Sequence, residues 1–281
     1  KPGAPEELHA LDYAVYGYLQ RGQDSAARAA VLESNKVKTS DSRALVAAYN
    51  RTAMAARVPL ERGDWEAAAK FPEPSDSMAP IASALARFTR AIGSARTGHA
   101  DAAKPEVKSL DSLAAALESK NEPYWSRVVG IKRDVAESWI RFASGDTAGA
   151  LKLARAAADS EEVTDKHPVT PAELLPAREL EGDMLLLTGR YAEARSAYKA
   201  TLARERNRAR SLFGVARASE LAGNRAAAAK EYREFLQLMA NADRDRPEVA
   251  RARAFAIESS GARRTDHEHN RQLEGRWQRS E

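Results

Sequence analysis

The segment over residues 159–171, DSEEVTDKHPVTP, holds the side chains best suited to chemistry: four carboxylates and one histidine, with two prolines, interrupt a helical pattern. Proline disfavours helix in the residue before it, which takes His167 and Thr170 out of a helix and stiffens the loop. Carboxylates such as Asp165, together with His167, could hold a hard divalent cation or contact a basic ligand. The interpretation we favour is that the acids cap the next helix and that His167 orients the loop through a hydrogen bond.

A second histidine stands beside an acid near the start of the chain. His9 and Asp12 are three residues apart, so they share one face of a helix. They could form a site with the loop at His167 and with groups that precede this chain, which would make the protein a metal-dependent enzyme or an accessory protein. A surface or packing pair is the simpler interpretation.

The sequence lacks the motifs of familiar enzyme classes. It has no cysteine, no His-Glu-x-x-His zinc motif, no Gly-x-Ser-x-Gly nucleophile motif and no phosphate-binding Gly-x-x-x-x-Gly-Lys. Pairs of carboxylates are abundant, but in a chain with 30% charged residues they arise by chance on any solvated face. We therefore predict a protein without catalytic residues and without a cofactor.

A repeat in the last third of the chain indicates the elements that must position these side chains. One pattern of leucine, glycine, alanine, tyrosine and leucine occurs twice, 34 residues apart. The two copies are Leu187, Gly189, Ala194, Tyr198 and Leu202, and Leu221, Gly223, Ala228, Tyr232 and Leu236. A glycine between two apolar helical stripes, at this period, is typical of a helical hairpin that buries its apolar face against neighbouring hairpins.

Over residues 176–239 these copies resemble the tetratricopeptide repeat. The first copy matches the family pattern at Gly182, Leu185, Gly189, Tyr191, Ala194, Tyr198 and Leu202. In the second copy Arg225 replaces the aromatic residue that usually follows the glycine, and Arg206 stands where an inter-repeat proline is common. The resemblance implies helix pairs that stack into a right-handed solenoid, in which the first helix of each pair lines a concave groove.

Glycine turns extend the pattern through the chain. Six of them, at positions 22, 63, 98, 145, 189 and 223, separate apolar stripes with helical spacing. An alanine-rich composition with 6% aromatic residues also favours close-packed helices. We therefore predict an all-α fold, an α-solenoid of about six hairpins over residues 1–259, with a capping helix over residues 246–259. The polar segment 260–281 is expected to be a flexible tail.

The groove is the predicted binding surface, because its mixture of charged and aromatic side chains suits an extended peptide. The positions that the resemblance implies in the last two hairpins are Glu179, Asp183, Arg210, Phe213, Arg217 and Glu220. A looser register places Arg57, Glu61, Phe88, Ile92, Lys132 and Trp139 at corresponding positions further back. We expect a binding or assembly scaffold with a protein or peptide partner. The alternatives are that Phe213 and Trp139 pack between hairpins, and that uncovered end hairpins self-associate.

Nucleic acid and membranes are disfavoured as partners. Arg204, Arg206, Arg208 and Arg210 form a basic run, but only Phe213 lies close enough in sequence to stack on a base. No apolar run approaches the roughly 20 residues that are needed to span a bilayer.

Two longer segments, over residues 9–20 and 166–180, resemble parts of a group of larger bacterial helical-repeat proteins. In that group further repeats precede the region seen here, and an export signal is common. The resemblance implies that this chain is the C-terminal portion of such a protein. It favours the bacterial cell envelope or periplasm over the cytoplasm, and it implies no activity.

Overall fold

A computed structural model describes residues 4–38, 44–74 and 79–258 of the 281-residue chain, so the predicted tail over 260–281 lies outside the described residues. Within those ranges all regular structure is helical. The helices are α1 (Ala4–Gln20), α2 (Asp24–Ser34), α3 (Ala44–Arg62), α4 (Trp65–Ala69), α5 (Pro80–Arg96), α6 (Ala100–Ser119), α7 (Pro123–Ala143), α8 (Thr147–Glu162), α9 (Ala177–Leu187), α10 (Tyr191–Arg204), α11 (Ala209–Leu221), α12 (Arg225–Leu238) and α13 (247–258). The predicted all-α fold is confirmed.

Consecutive helices pair into six hairpins, from α1 with α2 to α11 with α12, and α13 follows the last pair. Each hairpin turn contains one of the six glycines that the sequence pattern indicates, and their φ angles lie between +65° and +91°. Residues with a Cβ rarely adopt such angles, so glycine ends the first helix of each pair. In three hairpins the residue directly after the glycine is the N-cap of the second helix. The side chains of Asp64, Asp146 and Asn224 each accept a hydrogen bond from a backbone N–H in the first turn.

The odd-numbered helices form the continuous layer of the fold. α1 packs on α3, α3 on α5, α5 on α7, α7 on α9 and α9 on α11, and each even-numbered helix packs mainly on its neighbours in sequence. One large apolar core runs from α3 to α11, and smaller cores lie in the first hairpin and around α12. α13 covers the last hairpin, where the rings of Phe255 and Tyr232 lie 5.2 Å apart. This is the predicted α-solenoid with a capping helix.

The two ends of the stack contact each other, which the repeat pattern does not predict. The backbone N–H of Asp243 donates to the carbonyl oxygen of Gly22 (2.9 Å). The Asp243 carboxylate accepts hydrogen bonds from the backbone N–H and the hydroxyl of Ser25, and Arg246 forms a buried ion pair with Asp24. The first hairpin is thereby joined to the segment between α12 and α13, and the solenoid closes on itself instead of staying open.

The crossing of α4 and α5 depends on Gly93. A Cβ atom at this position would lie 2.2 Å from the backbone nitrogen of Ala69 and 2.6 Å from the carbonyl carbon of Ala68. Because backbone atoms of a packed helix cannot move aside alone, the two helices would have to separate. We expect Gly93→Ala to lower the free energy of unfolding by about 3 kcal/mol, as measured by denaturant titration followed by circular dichroism.

Gly130→Ala is the matched control for this prediction. Gly130 lies inside α7, and a Cβ atom there would have no heavy atom within 4 Å. The same substitution should raise the free energy of unfolding by up to about 1 kcal/mol, because alanine is the better helix former. Equal effects at the two positions would contradict the close crossing.

Candidate binding cavity inside the helical stack

The polar loop between α8 and α9, residues 163–176, lies against the inner helices, and Arg57 on α3 holds it there. Nη2 of Arg57 donates to the Thr170 hydroxyl (2.8 Å) and the Ala172 carbonyl oxygen (2.6 Å). Nη1 donates to the Glu173 carbonyl oxygen (3.0 Å), and Nε donates to Asp12 on α1 (3.1 Å). Both charged side chains of this Arg57–Asp12 pair are fully buried. Since a buried guanidinium needs acceptors for its N–H groups, Arg57 fixes the loop against α1 and α3.

Side chains of α7 hold the other side of the polar loop. Nζ of Lys132 donates to the Glu173 carboxylate (2.6 Å), and the ring of His167 lies 4.9 Å from that of Trp125. Burial raises the pKa of Glu173, but the charge of Lys132 and its hydrogen bond outweigh burial, so the pKa lies below its ordinary value. In the first four hairpins the chain's own loop therefore occupies the inner face, where the resemblance implies a peptide groove.

The structure brings together only part of the predicted loop site. Nδ1 of His9 lies 3.2 Å from the carbonyl oxygen of Val169, and Nδ1 of His167 accepts a hydrogen bond from the Val169 N–H (3.1 Å). His167 thus orients the loop, which agrees with the interpretation that we favoured. Asp12 is buried in its ion pair, and the Asp165 side chain is exposed. In the described ranges no three histidine, aspartate or glutamate side chains are grouped as metal ligands.

Glu179, the first of the predicted groove residues, is fully buried. Its carboxylate accepts hydrogen bonds from Arg208 (2.8 and 3.0 Å), Arg210 (3.1 Å) and Ser211 (2.6 Å). Arg208, which is also fully buried, donates in addition to Glu61 on α3 (2.8 Å). Glu179 has no surface for a partner, so we remove it from the predicted contact surface. Its ion pairs connect α9 with α11, and the pair of Arg208 with Glu61 extends this network to α3.

Arg217 and Glu220 belong to a different cluster, which joins α11 to α12 and α13. Nη1 of Arg217 lies 2.8 Å from the Glu220 carboxylate. That carboxylate also accepts a hydrogen bond from the Tyr232 hydroxyl (2.5 Å) and forms an ion pair with Arg251. The six predicted groove residues therefore do not line one continuous surface.

The remaining three predicted residues line a cavity of about 390 Å³, here called the inner cavity. Asp183 lies on α9, and Arg210 and Phe213 lie on α11. Phe213 also packs on Phe235, another residue of the cavity wall, and their ring centroids are 5.5 Å apart. Leu187 also lines the cavity and is 62% exposed, which places it at the rim. The inner cavity is the part of the predicted groove that stays open in the closed stack.

Two residues of the cavity wall, Trp65 and Arg96, were missed by the groove prediction. Both lie two positions from a turn glycine, Trp65 after Gly63 and Arg96 before Gly98. The resemblance directs attention to the middle of each first helix, whereas this cavity lies near the turns of the second, third and fifth hairpins. Proximity to the turn glycines is the only sequence signal that could have indicated these residues.

Arg96 packs against two indole rings. Its guanidinium carbon lies 4.4 Å from the ring centroid of Trp65 and 4.2 Å from that of Trp139. Nη1 of Arg96 donates to Asp183 (2.9 Å), and the same oxygen atom accepts from Arg210 (2.8 Å). Burial lowers the pKa of Arg96; the charge of Asp183 opposes this decrease and that of Arg210 adds to it. Burial raises the pKa of Asp183, but the two arginines outweigh burial and keep the pKa below its ordinary value.

A second cavity, of about 300 Å³, lies between the polar loop and the end of α10 and is here called the glutamate cavity. Glu161 and Glu205 line it. Glu161 accepts a hydrogen bond from the backbone N–H of Ala177 (2.7 Å), so it caps α9, as we expected of the acids in this segment. Burial raises the pKa of Glu161 to about 8 and that of Glu205 to about 7. Both carboxyl groups therefore hold a proton well above the pH at which an exposed glutamate loses it.

The basic run in the sequence is divided between surface and interior. Arg204 donates to the carbonyl oxygen of Glu162 (2.6 Å), and Arg206 is exposed. Arg208 and Arg210 form the interior ion pairs described above. Of the four arginines, Arg204 and Arg206 are therefore the two that a polyanion could contact at the surface. None of the helices in the described part of the chain is long and apolar enough to cross a membrane.

Neither a protein-family model, nor a curated protein, nor a solved structure matches the chain.

Proposed function

We propose that the chain is a non-catalytic binding module of the tetratricopeptide-repeat type, which takes a short segment of a protein or peptide partner into the inner cavity. The observation that supports the proposal is the cavity itself, because the polar loop and the buried ion pairs leave this part of the interior open. Trp65 and Phe213 provide apolar area there, and Arg96 and Arg210 provide hydrogen-bond donors. Aromatic anchors with a few placed polar groups are typical of binding sites that give both affinity and orientation.

The size of the inner cavity limits what it can take. At about 390 Å³ it is near the lower end of the roughly 300–1,000 Å³ that is usual for sites of small ligands. It can hold a side chain or a short chain end, but not an extended peptide of many residues. The proposal is therefore capture of a short segment, and it replaces binding along a continuous groove.

Selection from a peptide-display library tests the proposal. Leu187→Arg would place a long charged side chain at the rim, and since Leu187 is already 62% exposed the fold should tolerate it. We expect this variant to bind the selected peptides at least tenfold more weakly, with an unchanged circular dichroism spectrum. Arg217→Ala is the matched control, because Arg217 pairs with Glu220 and does not line the cavity.

Two results would count against the proposed site. One is a library from which no peptide is selected. The other is a set of peptides that lose affinity with Arg217→Ala and keep it with Leu187→Arg, which would place the binding surface on the cluster that joins α11 to α12 and α13.

A further inference from the structure

Arg96 is the arginine of the inner cavity with the fewest acceptors. Its guanidinium donates one hydrogen bond, from Nη1 to Asp183, and has no second acceptor among the described residues. Arg210, by contrast, donates to both Glu179 (3.1 Å) and Asp183 (2.8 Å). A guanidinium carries five N–H groups, so Nε and Nη2 of Arg96 are left for water or for a ligand. An arginine that is mostly buried with most of its donors unused indicates an incomplete site.

Two indole rings pack against the guanidinium that carries these free donors. The Arg96 guanidinium carbon lies over the rings of Trp65 and Trp139, 4.4 and 4.2 Å from their centroids. Stacked guanidinium groups keep their edges free, and such an edge is a rigid fork of donors. The fork matches the two oxygen atoms of a carboxylate, which it can bind through two parallel hydrogen bonds.

The other charges of the wall disfavour a doubly charged anion. Arg62 and Arg246 also line the cavity, but both are paired with Asp24. Glu248 lines the wall as well and, with Asp183, opposes the charge of the two remaining arginines. A ligand with two negative charges would be repelled by these acids, whereas a single carboxylate can be held by the geometry of the Arg96 fork.

We infer that the inner cavity binds a carboxylate, whose oxygen atoms accept hydrogen bonds from Nε and Nη2 of Arg96 while Trp65 and Phe213 contact its apolar part. The inference rests on the proposed function, since it names the chemical group that the same cavity recognises. A chain end and a free small carboxylic acid share this chemistry, so the experiment has an arm for each.

Isothermal titration calorimetry with four probes tests the inference. N-acetylphenylalanine represents a chain end, its amide is the neutral equivalent and 3-phenylpropionate is a free carboxylic acid. Inorganic phosphate, which is mostly doubly charged at pH 8, is the dianion, so all four titrations are made at that pH. We expect a carboxylate to bind at least tenfold more tightly than the amide, which corresponds to about 1.4 kcal/mol, and phosphate to bind more weakly than either acid. Tighter binding of N-acetylphenylalanine than of 3-phenylpropionate identifies the chain end as the source, and the reverse order identifies the free acid.

Substitution of Arg96 decides whether this residue is responsible. Arg96→Gln should remove the preference for the acid over the amide, whereas Arg217→Gln, the matched control on α11, should keep it. If Arg96→Gln does not fold, Arg96→Lys serves instead, because lysine keeps the charge and lacks the planar fork. We expect Arg96→Lys to lose most of the preference for the acid over the amide. An unchanged preference in Arg96→Lys would overturn the inference.

The outcomes separate this inference from the proposed function. Equal binding of acid and amide, or an acid preference that survives Arg96→Gln, would overturn the carboxylate assignment and leave peptide capture standing. No binding of any of the four probes would also overturn the assignment. The display library then decides the proposed function independently, because its peptides are selected without regard to a terminal carboxylate.

Discussion

Arg208→Met will lower the free energy of unfolding by about 4 kcal/mol, the largest loss that we expect from a single substitution in this chain. Arg208 is fully buried and binds Glu179 and Glu61, which are themselves 0% and 2% exposed. Methionine can fill much of the space but leaves two carboxylates in the interior without their main partner. Removal of one member of a buried ion pair usually costs about 3–5 kcal/mol, and here two acids are affected. For a protein of this size the melting temperature should fall by roughly 10 °C.

Arg206→Met is the control for this prediction, because Arg206 lies two residues earlier and is exposed. Its effect on the free energy of unfolding should stay within about 0.5 kcal/mol. Glu61→Gln combined with Arg208→Met should recover part of the loss, because Arg208 is the one ion-pair partner of Glu61 among the described residues, whereas Glu179 keeps Arg210 and Ser211. The interior network would be disproved if thermal and denaturant unfolding showed the same small change for the Arg206 and Arg208 variants.

Stability is expected to fall as the pH rises from about 5 to about 8, because of the glutamate cavity. Burial raises the pKa of Glu205 to about 7 and that of Glu161 to about 8, from an ordinary value of 4.5. Between pH 4.5 and these values, the unfolded chain has released the two protons and the folded chain still holds them. The folded state then binds more protons, so the free energy of unfolding decreases with rising pH. For Glu205 alone the decrease amounts to at most about 3 kcal/mol.

The comparison of Glu205→Gln with the unchanged protein at pH 5, 6, 7 and 8 measures this effect. Glutamine stays neutral, so the variant should lose part of the pH dependence and be the more stable protein at pH 8. Glu118→Gln is the control, because Glu118 is exposed near the end of α6. The two carboxyls are surrounded by both charge types. The basic groups are Lys132, Lys166, Arg178, Arg204 and Arg208, and the acidic groups are Glu61, Glu162, Glu173 and Glu179. A free energy of unfolding that rises between pH 5 and pH 8, or an unchanged slope in Glu205→Gln, would contradict the protonated glutamates.

The closed stack changes where recognition can occur. A helical array of this kind offers its inner face to a partner when that face is open, but here Arg57 holds the polar loop against it in the first hairpins. The ion pairs of Arg208, directly before α11, connect α9 of the fifth hairpin with α3 of the second. The inner cavity near the hairpin turns stays open. The predicted groove residues that line it are Asp183, Arg210 and Phe213.

The helices and their pairing could be read from the sequence because the signals for them are local. A glycine with a left-handed backbone ends one helix, an Asp or Asn directly after it caps the next in three of the hairpins, and apolar residues at helical spacing mark the face to be buried. All of these operate within a few residues. The six turns and the helix at the end of the solenoid follow from them.

The site was decided by the tertiary structure, because its contacts join residues that are distant in sequence. Arg96 meets Asp183 across 87 positions, and Arg208 meets Glu61 across 147. Arg206 and Arg208 are the same residue type in one short run, yet one is exposed and the other is fully buried. What separates them is whether carboxylates from other hairpins surround the position, which depends on how the solenoid curves and closes. No local pattern carries that information, since a buried ion pair exists only once its partners have been brought together.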